Sequence, residues 1–210
     1  MKIGIVGAGS VGSGLGKLWT AAGHQVLLSY SRNVHKLEIL AGEIGPGANV
    51  GTPREAVEFG EVVLLAVPWQ AVTDALAQAG SLAGKLLFSS VNALKSDFSG
   101  LDIGTTTSAA EWIAERTPGA TVVEALPVNA ELLHSPSLRF GTQVPSVFYC
   151  GDDANAKATV ARLLTDAGMD PIDAGPLVRA RLVEPAGFLV AQVGYGLGVG
   201  PNVALKLLRR

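Results

Sequence analysis

The sequence predicts an α/β protein in which a parallel sheet is built from alternating strands and helices. An apolar strand pattern, Lys2–Val6, runs directly into the glycine motif G-x-G-x-x-G, and an apolar helical pattern follows it until Gly23. Further along, the continuous apolar run of residues 61–67 is typical of a strand buried on both faces, and Pro68 ends it. Alternation of this kind favours crossover helices between parallel strands. The predicted fold is therefore a Rossmann-type, doubly wound parallel sheet with a small C-terminal helical addition.

The remaining elements are predicted from the same periodicities, with caps and turn residues as their boundaries. The predicted strands are residues 25–28, 61–67, 85–91, 121–126, 146–150 and 169–172. The predicted helices are residues 34–40, 53–59, 69–79, 108–116 and 152–167. Thr52 is a candidate cap for the second of these helices, with Pro53 at a favoured first position. Residues 43–48 are predicted to be a loop, and the segment from Val178 to be helical with a glycine-rich break at residues 194–200.

A boundary near Ala174 divides the chain into two parts. Residues 1–174 form the predicted nucleotide-binding domain, and residues 175–210 form a C-terminal helical segment. We expect this segment to complete the second substrate's pocket and to supply a dimer interface. Its apolar, glycine-rich helices would otherwise be exposed on a small sheet domain.

Composition and charge exclude several classes of protein. With 210 residues, of which 48% are hydrophobic and 16% charged, the chain can bury a sizeable core. The net charge is -2 and the only basic run is the terminal Arg209-Arg210, so nothing indicates a nucleic-acid partner.

The single Cys150 forms no intramolecular disulfide and lacks metal-ligand spacing, which favours a cytoplasmic protein without a metal site. No secretory signal is visible, and glycines interrupt the apolar residues 185–203, which we interpret as buried or interface helix rather than a membrane span.

The glycine motif has a specific chemical use. Gly7 permits the tight turn out of the strand, Gly9 lets the main chain approach a pyrophosphate, and Gly12 lets the helix pack on the sheet. The N–H groups of residues such as Ser10 and Val11, which open the helix, have no intrahelical partners and can bind phosphate oxygens. The alternative is a glycine turn in another kind of α/β protein. The strand before the motif and the helix after it favour a dinucleotide site.

The end of the second strand indicates which dinucleotide binds. NAD sites usually place an acid about twenty residues beyond the glycines, where it accepts hydrogen bonds from the ribose 2'-hydroxyl. Here Ser31 and Arg32 stand at that place, and they can bind a 2'-phosphate through charge-assisted hydrogen bonds. Lys36 or His35 can add positive charge one helical turn later. The prediction is an NADP(H) site, with a solvated arginine as the alternative.

Other candidate cofactor residues follow the predicted strand ends, where ligands gather in an open parallel sheet. These candidates are Val67, Pro68, Trp69, Asn92, Pro127 and Asn129. Pro68 and Trp69 would border the inner ribose, although Trp69 is equally well explained as a core anchor. The short amides of Asn92 and Asn129 suit ribose or carboxamide contacts, or ordinary turns.

Acid–base groups for a reductase are scarce in this chain. The catalytic candidates are Glu124, His134 and Tyr195, with Lys95 as a further candidate proton donor. His134 follows a predicted short helix, where the pattern favours a structurally paired or solvent-facing histidine over a catalytic one. If the acceptor were a flavin-like ring, hydride could pass directly between two stacked planar cofactors. The protein would then supply orientation more than proton transfer.

Several segments together resemble the NADP-dependent reductases of the deazaflavin coenzyme F420, and the resemblance runs nearly end to end. The segments that carry it are GAGSVG at residues 7–12, Ser31-Arg32, Ala66-Val67-Pro68-Trp69, Ser108-Ala109-Ala110-Glu111, Cys150-Gly151-Asp152-Asp153, Asp173-Ala174-Gly175-Pro176-Leu177 and Arg181-Leu182-Val183-Glu184. Members of that family are small dimeric Rossmann proteins with a C-terminal helical addition, which pass hydride between NADPH and the deazaflavin.

The resemblance implies a role for individual positions. It places Gly9, Ser10, Val11 and Gly12 on the pyrophosphate. It likewise places Ser31, Arg32 and Lys36 on the 2'-phosphate, and Pro68 and Trp69 beside the nicotinamide ribose. The deazaflavin would lie near residues 127–129 and the C-terminal glycine segment. Glu124 departs from the pattern, since a neutral or basic residue is expected there.

The sequence therefore predicts an oxidoreductase that passes hydride between NADP(H) and coenzyme F420 or a similar small-molecule acceptor, as a homodimer. One alternative is an NADPH-dependent reductase of a flavin, a ferric or other metal relay, an imine or a carbonyl. The other is a non-catalytic NADP-binding sensor.

Overall fold

The structure is a computed structural model that describes residues 1–31, 33–126 and 128–210. Within these ranges the strands are β1 Lys2–Val6, β2 Gln25–Ser29, β3 Ala48–Val50, β4 Val62–Leu65, β5 Leu86–Ser89, β6 Thr121–Ala125, β7 Ser146–Gly151 and β8 Asp170–Asp173. The α-helices are α1 Ser10–Ala21, α2 Val34–Ile44, α3 Pro53–Phe59, α4 Val72–Ala79, α5 Ala109–Arg116, α6 Ala130–Leu133, α7 Ala154–Asp166 and α8 Ala180–Ala191. Short 3-10 turns, Trp69–Ala71 and Leu177–Arg179, precede α4 and α8, and a π-helical turn, Gln192–Gly196, follows α8.

The strands form one sheet of order β3-β2-β1-β4-β5-β6-β7-β8 among the described residues. All neighbouring pairs are parallel except β6 and β7, which run antiparallel. The predicted doubly wound α/β fold with a C-terminal helix is confirmed. The antiparallel pair was not predicted: the described part of the connection from β6 to β7 contains only the four-residue α6, whereas a parallel return usually passes through a full crossover helix.

The order of the strands sets the position of the site. The chain moves outward from β1 to β3 on one side and then crosses back to β4 on the other side of β1. Ligands bind at such a switch point, outside the carboxyl ends of the strands. Strand β3 is an edge strand of three residues, too short to show a periodic pattern. The stretch predicted as a loop, residues 43–48, contains the end of α2 and the first residue of β3.

Local sequence explains where the helices begin. Helix α3 starts with a capping box, in which the Thr52 hydroxyl accepts from the Glu55 amide at 3.2 Å and the Glu55 carboxylate accepts from the Thr52 amide at 2.7 Å. Pro53 occupies the first turn of this helix, as predicted. Asn33, Ser108 and Asp153 cap α2, α5 and α7 in the same way with their side chains.

Helices on both faces of the sheet enclose two apolar clusters. On one face Leu15, Trp19 and Leu163 pack on the sheet, and the Trp19 indole donates to the Leu163 carbonyl at 2.8 Å. On the other face, side chains such as Val72 and Ile113 pack beside the C-terminal Val183. Both faces of the central strands are therefore buried, which explains their continuous apolar runs.

The C-terminal residues return to the sheet beyond α8. The Ser146 amide, at the start of β7, donates to the Leu205 carbonyl at 2.9 Å, and the Lys206 ammonium contacts the Asp170 carboxylate at 2.6 Å. Strand β6 pairs only with the later part of β7, so this tail occupies the edge that β6 leaves open. Within the described part of the chain, no helix combines the length and the apolar character needed to cross a bilayer.

Candidate dinucleotide site

The glycine turn between β1 and α1 brings the backbone into close contact with the neighbouring strand. Gly7 has a φ of 110°, and a Cβ there would lie 2.3 Å from the Ala66 carbonyl oxygen. A Cβ on Gly12 would lie 1.9 Å from the Gly7 carbonyl oxygen. Side chains at both positions are excluded by backbone atoms, which cannot move aside. The turn therefore needs glycine at these two places for its own geometry.

Gly9 differs from these two glycines, because a Cβ there would meet no protein atom within 4 Å. Its φ of -71° is accessible to any residue. Gly9 precedes the first turn of α1, which carries no acidic residue and has no side-chain cap. The free N–H groups of this turn and the helix dipole favour an anion in the open space beside Gly9.

A cavity of about 670 Å³ adjoins this turn and extends along the carboxyl ends of β1, β2 and β4. The described residues that line it are Gly7, Ala8, Gly9, Tyr30, Ser31, Asn33, Lys36, Ala66, Val67, Pro68, Ala71, Asp74 and Gln78. Its volume is in the range of cofactor sites. Six predicted residues, Gly7, Gly9, Ser31, Lys36, Val67 and Pro68, lie together here, and the open anion site at one end fits a dinucleotide.

Polar groups at the far end of the cavity surround the start of α2. The Asn33 side chain accepts from the Lys36 amide at 3.2 Å, and Ser31 exchanges hydrogen bonds with the Asn33 backbone. Lys36 lines both this cavity and an adjoining one of about 340 Å³. A hydroxyl, a helix N-terminus and a lysine therefore meet where a 2'-phosphate is expected. Arg32, predicted as the main phosphate ligand, lies outside the described residues.

Seven of the residues that line this cavity were not among the predicted site residues, and three of these, Tyr30, Asp74 and Gln78, are joined by hydrogen bonds. Tyr30 adopts a φ of 57°, and its hydroxyl donates to the Asp74 carboxylate at 2.6 Å. The Gln78 amide donates to the same carboxylate oxygen at 2.8 Å. The four-residue spacing of Asp74 and Gln78 after Pro68 predicts one helical face. Nothing in the sequence indicates that Tyr30 approaches that face.

Other predicted cofactor residues do not line the cavity. Trp69 packs edge-on against Trp112, with ring centroids 5.0 Å apart. The Asn92 amide donates to the Glu184 carbonyl at 3.0 Å, and the Asn129 amide donates to the Pro201 carbonyl at 3.1 Å. Both asparagines thus tie strand ends to the C-terminal segment. Pro127 lies outside the described residues.

The acid–base candidates are engaged in contacts within the protein. The His134 ring lies with Nε2 2.8 Å from the Ser10 carbonyl oxygen, which links α6 to the start of α1. The Tyr195 hydroxyl donates to the Glu131 carboxylate. Burial raises the pKa of Tyr195, and the contact with Glu131 raises it further. Neither side chain is poised to give a proton to a substrate in this arrangement.

Glu124, the third candidate, is fully buried on β6. Neither of its carboxyl oxygens has a hydrogen-bond partner among the described residues. Burial raises the pKa of Glu124 well above its ordinary value, and the nearby Glu184 raises it further, while Ser89 lowers it in part. Burial within the core therefore favours the neutral form of the Glu124 carboxyl.

Glu184 on α8 is also fully buried, but it has partners. Its two oxygens accept from the Ala109 and Ala110 amides at 2.9 and 3.0 Å, which are the first N–H groups of α5. Burial raises the pKa of Glu184 to about 7, against the lowering effect of those two amides. Next to it, the Arg181 guanidinium binds the Glu111 carboxylate through two nitrogens, at 2.8 and 2.7 Å. Helix α8 is thereby anchored to α5.

The two buried acids predict how stability depends on pH. Each has a folded-state pKa above its unfolded value, so the native protein retains protons that the unfolded chain releases. The free energy of unfolding should fall as pH rises from about 4.5, by up to about 1.4 kcal/mol per pH unit for each proton retained. Urea denaturation across pH 5 to about 9 measures this fall. In Glu124→Gln we expect the fall to end near the Glu184 pKa of about 7, whereas a wild-type profile that is flat above pH 5 would contradict the assignment.

A second, small cavity of about 40 Å³ lies where α8 and the tail meet β7. Asn129, Gly187 and Leu205 are among its lining residues. A space of this size holds a water molecule, not a fused ring.

Comparison with known proteins identifies similar chains. A family model described as "NADP oxidoreductase coenzyme F420-dependent" matches residues 2–93. A solved protein from Arthrobacter sp. FB24, with the provisional name F420-dependent NADP reductase, is 31% identical with a TM-score of 0.86, and the match covers 100% of both chains. A reductive aminase from Aspergillus terreus, solved with NADPH, has a TM-score of 0.69 at 20% identity, covering 94% of this chain and 62% of that one. This last likeness shows the fold alone.

Among curated proteins, the rat (Rattus norvegicus) metalloreductase STEAP3 is 32% identical over 183 residues, which is 87% of this chain and 36% of that protein. The chain thus spans about a third of the length of this relative.

Proposed function

Since the chain belongs to the family of coenzyme F420-dependent NADP oxidoreductases, we propose that it transfers a hydride between NADP(H) and a deazaflavin of the coenzyme F420 type. Family membership makes the chain an NADP-dependent oxidoreductase, and the acceptor is the proposed part. The observation that supports this function best is the open anion site at Gly9, joined to the cavity of about 670 Å³.

The residues of the cavity would hold the dinucleotide along its length. The backbone at Gly9, Ser10, Val11 and Gly12 would bind the pyrophosphate. Ser31 and Lys36, together with Arg32, would bind the 2'-phosphate. Val67 and Pro68 would border the ribose on the nicotinamide side, since they line the cavity at the end of β4. Trp69, Asn92 and Asn129, together with Pro127, are proposed to act near the nicotinamide and the acceptor.

The scarcity of free acid–base groups supports a direct hydride transfer. When bound, NADPH supplies a hydride, which carries two electrons and one proton. His134 and Tyr195 are held by Ser10 and Glu131, and Glu124 is sealed in the core. The chain's contribution is then to orient two planar rings and to exclude water, while the solvent balances any remaining proton.

The test is an absorbance assay with the purified protein, NADPH and coenzyme F420. We expect the absorption bands of both cofactors to change together and in a one-to-one ratio. The reverse reaction, from reduced deazaflavin to NADP, should run at the same site. If the protein binds NADPH but neither band changes, the deazaflavin assignment is wrong.

Cofactor preference gives a separate prediction. Lys36→Ala and Arg32→Ala should each weaken NADPH at least tenfold and leave NADH binding almost unchanged, because a charge-assisted contact to the 2'-phosphate contributes about 1.5–3 kcal/mol. Dissociation constants from nicotinamide fluorescence measure this. Lys17→Ala is the matched control, since Lys17 is exposed on α1 and does not line the cavity. Equal losses for both dinucleotides would exclude a phosphate contact.

A second candidate acceptor is a flavin that relays electrons to a ferric ion, and the likeness to the metalloreductase STEAP3 favours it. The same assay with free flavin in place of the deazaflavin, followed by a ferric chelate, distinguishes the two. If turnover with flavin were faster than with the deazaflavin, flavin would be the acceptor and the first proposal would be wrong.

We also propose that residues 175–210 complete the acceptor pocket and form a homodimer interface. On α8 and beyond it, Leu182, Leu189, Leu197 and Val199 expose more than half of their side-chain surface. Apolar groups in such a row favour burial against a second copy. Sedimentation equilibrium of the wild type and of a Leu182→Glu, Leu189→Glu double variant tests this.

A further inference from the structure

The wall of the cavity opposite the phosphate-binding groups is lined by different side chains, which include a carboxylate and an amide. Ser31, Asn33 and Lys36 gather at the start of α2, whereas Ala71, Asp74 and Gln78 form the facing wall on and before α4. In a site of this type the adenosine ribose lies at the end of β2. The base attached to that ribose then extends toward the wall formed by α4.

We propose that Asp74 is a specificity-determining residue that reads the 6-amino group of the adenine base. This inference rests on the proposed NADP site and adds recognition of the base to it. A carboxylate accepts hydrogen bonds and cannot donate them when ionised. It matches the amino group of adenine and opposes the 6-oxo group of hypoxanthine or guanine.

The carboxylate of Asp74 is held in a fixed orientation. Its Oδ2 atom accepts from the Tyr30 hydroxyl at 2.6 Å and from the Gln78 amide at 2.8 Å. Its Oδ1 atom accepts no hydrogen bond from another described side chain or amide. Because both donors bind Oδ2, the other oxygen stays available to a ligand in the cavity that Asp74 lines, as expected for a preorganised recognition group.

The backbone at Tyr30 contributes to this arrangement. Its φ of 57° is uncommon for a bulky residue and is unfavourable unless surrounding contacts hold it. The conformation turns the chain at the end of β2 and brings the tyrosine hydroxyl to α4, 44 residues away in sequence.

The negative charge of Asp74 distinguishes recognition of the base from binding of the 2'-phosphate. A carboxylate beside a 2'-phosphate would repel it, so Asp74 cannot be part of the phosphate site. The positive group among the described lining residues, Lys36, lies on α2 rather than on α4. The wall with Asp74 is therefore suited to the base and not to the phosphate.

The experiment compares NADPH with deamino-NADPH, in which hypoxanthine replaces adenine and the rest of the molecule is unchanged. Dissociation constants are measured by nicotinamide fluorescence, without any acceptor. We expect wild-type protein to bind NADPH about tenfold more tightly, from one hydrogen bond to a charged group that is replaced by an unfavourable contact. Asp74→Asn should reduce this ratio to near one, because an amide can rotate to serve either base.

Glu58→Gln is the matched control. It removes one exposed carboxylate from the neighbouring helix α3 and does not line the cavity. We expect it to keep the wild-type ratio. Equal binding of the two dinucleotides by wild type, or a ratio unchanged in Asp74→Asn, would overturn base reading by Asp74 and leave the NADP site intact. Absence of binding for both dinucleotides would overturn the NADP site as well.

Discussion

Gly9→Val is expected to lower NADPH affinity by about 100-fold, or about 2.7 kcal/mol, while leaving the fold intact. The new side chain would occupy the space beside the first turn of α1, where no protein atom lies within 4 Å of a Cβ. That space is where the pyrophosphate approaches the backbone N–H groups. Because the φ of -71° at this position suits any residue, the valine displaces the ligand and not the chain. Fluorescence titration with NADPH measures the loss.

Gly42→Val is the control for this effect. Gly42 lies on α2, and a Cβ there also meets nothing within 4 Å. The two variants therefore add the same group to open space, and only one of these spaces adjoins the cavity. Thermal unfolding should change little in both. If Gly9→Val bound NADPH as the wild type does, the pyrophosphate could not lie at this turn.

Glu184→Ala is expected to produce the largest loss of stability, roughly 3 kcal/mol in the free energy of unfolding. It removes both acceptors of the Ala109 and Ala110 amides, which open α5 in a buried position. Donors that are buried without partners carry their full desolvation cost, and the deleted side chain leaves a cavity. The contact that anchors α8 to α5 is lost at the same time. Urea denaturation near pH 6, below the Glu184 pKa of about 7, measures the change, because the wild type retains the Glu184 proton there.

Glu124→Gln is the informative comparison for this variant, since it alters the neighbouring buried acid. Burial raises the pKa of Glu124 and its oxygens have no partner among the described residues, so an isosteric neutral amide should change stability near pH 7 by less than about 1 kcal/mol. NADPH affinity should be retained in both variants, because neither residue lines the dinucleotide cavity. A Glu184→Ala protein as stable as the wild type would show that the α5 amides find other partners.

Local chemistry explains which elements could be predicted from the sequence. The Thr52 capping box and Pro53 specify the start of α3 through contacts within one turn. Helix α5 begins after Ser108 for the same reason. The short edge strand Ala48–Val50 escaped prediction because three residues on a sheet edge carry no period.

In the candidate site, too, the residues that could be predicted are those whose positions follow from local sequence. Gly7, Gly9, Ser31, Lys36, Val67 and Pro68 were predicted and line one cavity, because a strand–turn–helix unit and adjacent strand ends place them there. The wall formed by Asp74 was not predicted. Its partner Tyr30 is remote in sequence, and the contact depends on an unusual backbone conformation.

By itself, the sequence determined the doubly wound α/β fold and the glycine turn, because backbone sterics and helix termini act within a few residues. Only the tertiary structure decided the protonation and the hydrogen-bond partners of the ionisable side chains. It pairs His134 with Ser10 and Tyr195 with Glu131. It also buries Glu124 without a hydrogen-bond partner among the described residues. The protonation and the partners of such groups depend on burial and on neighbours from distant segments, which no local pattern encodes.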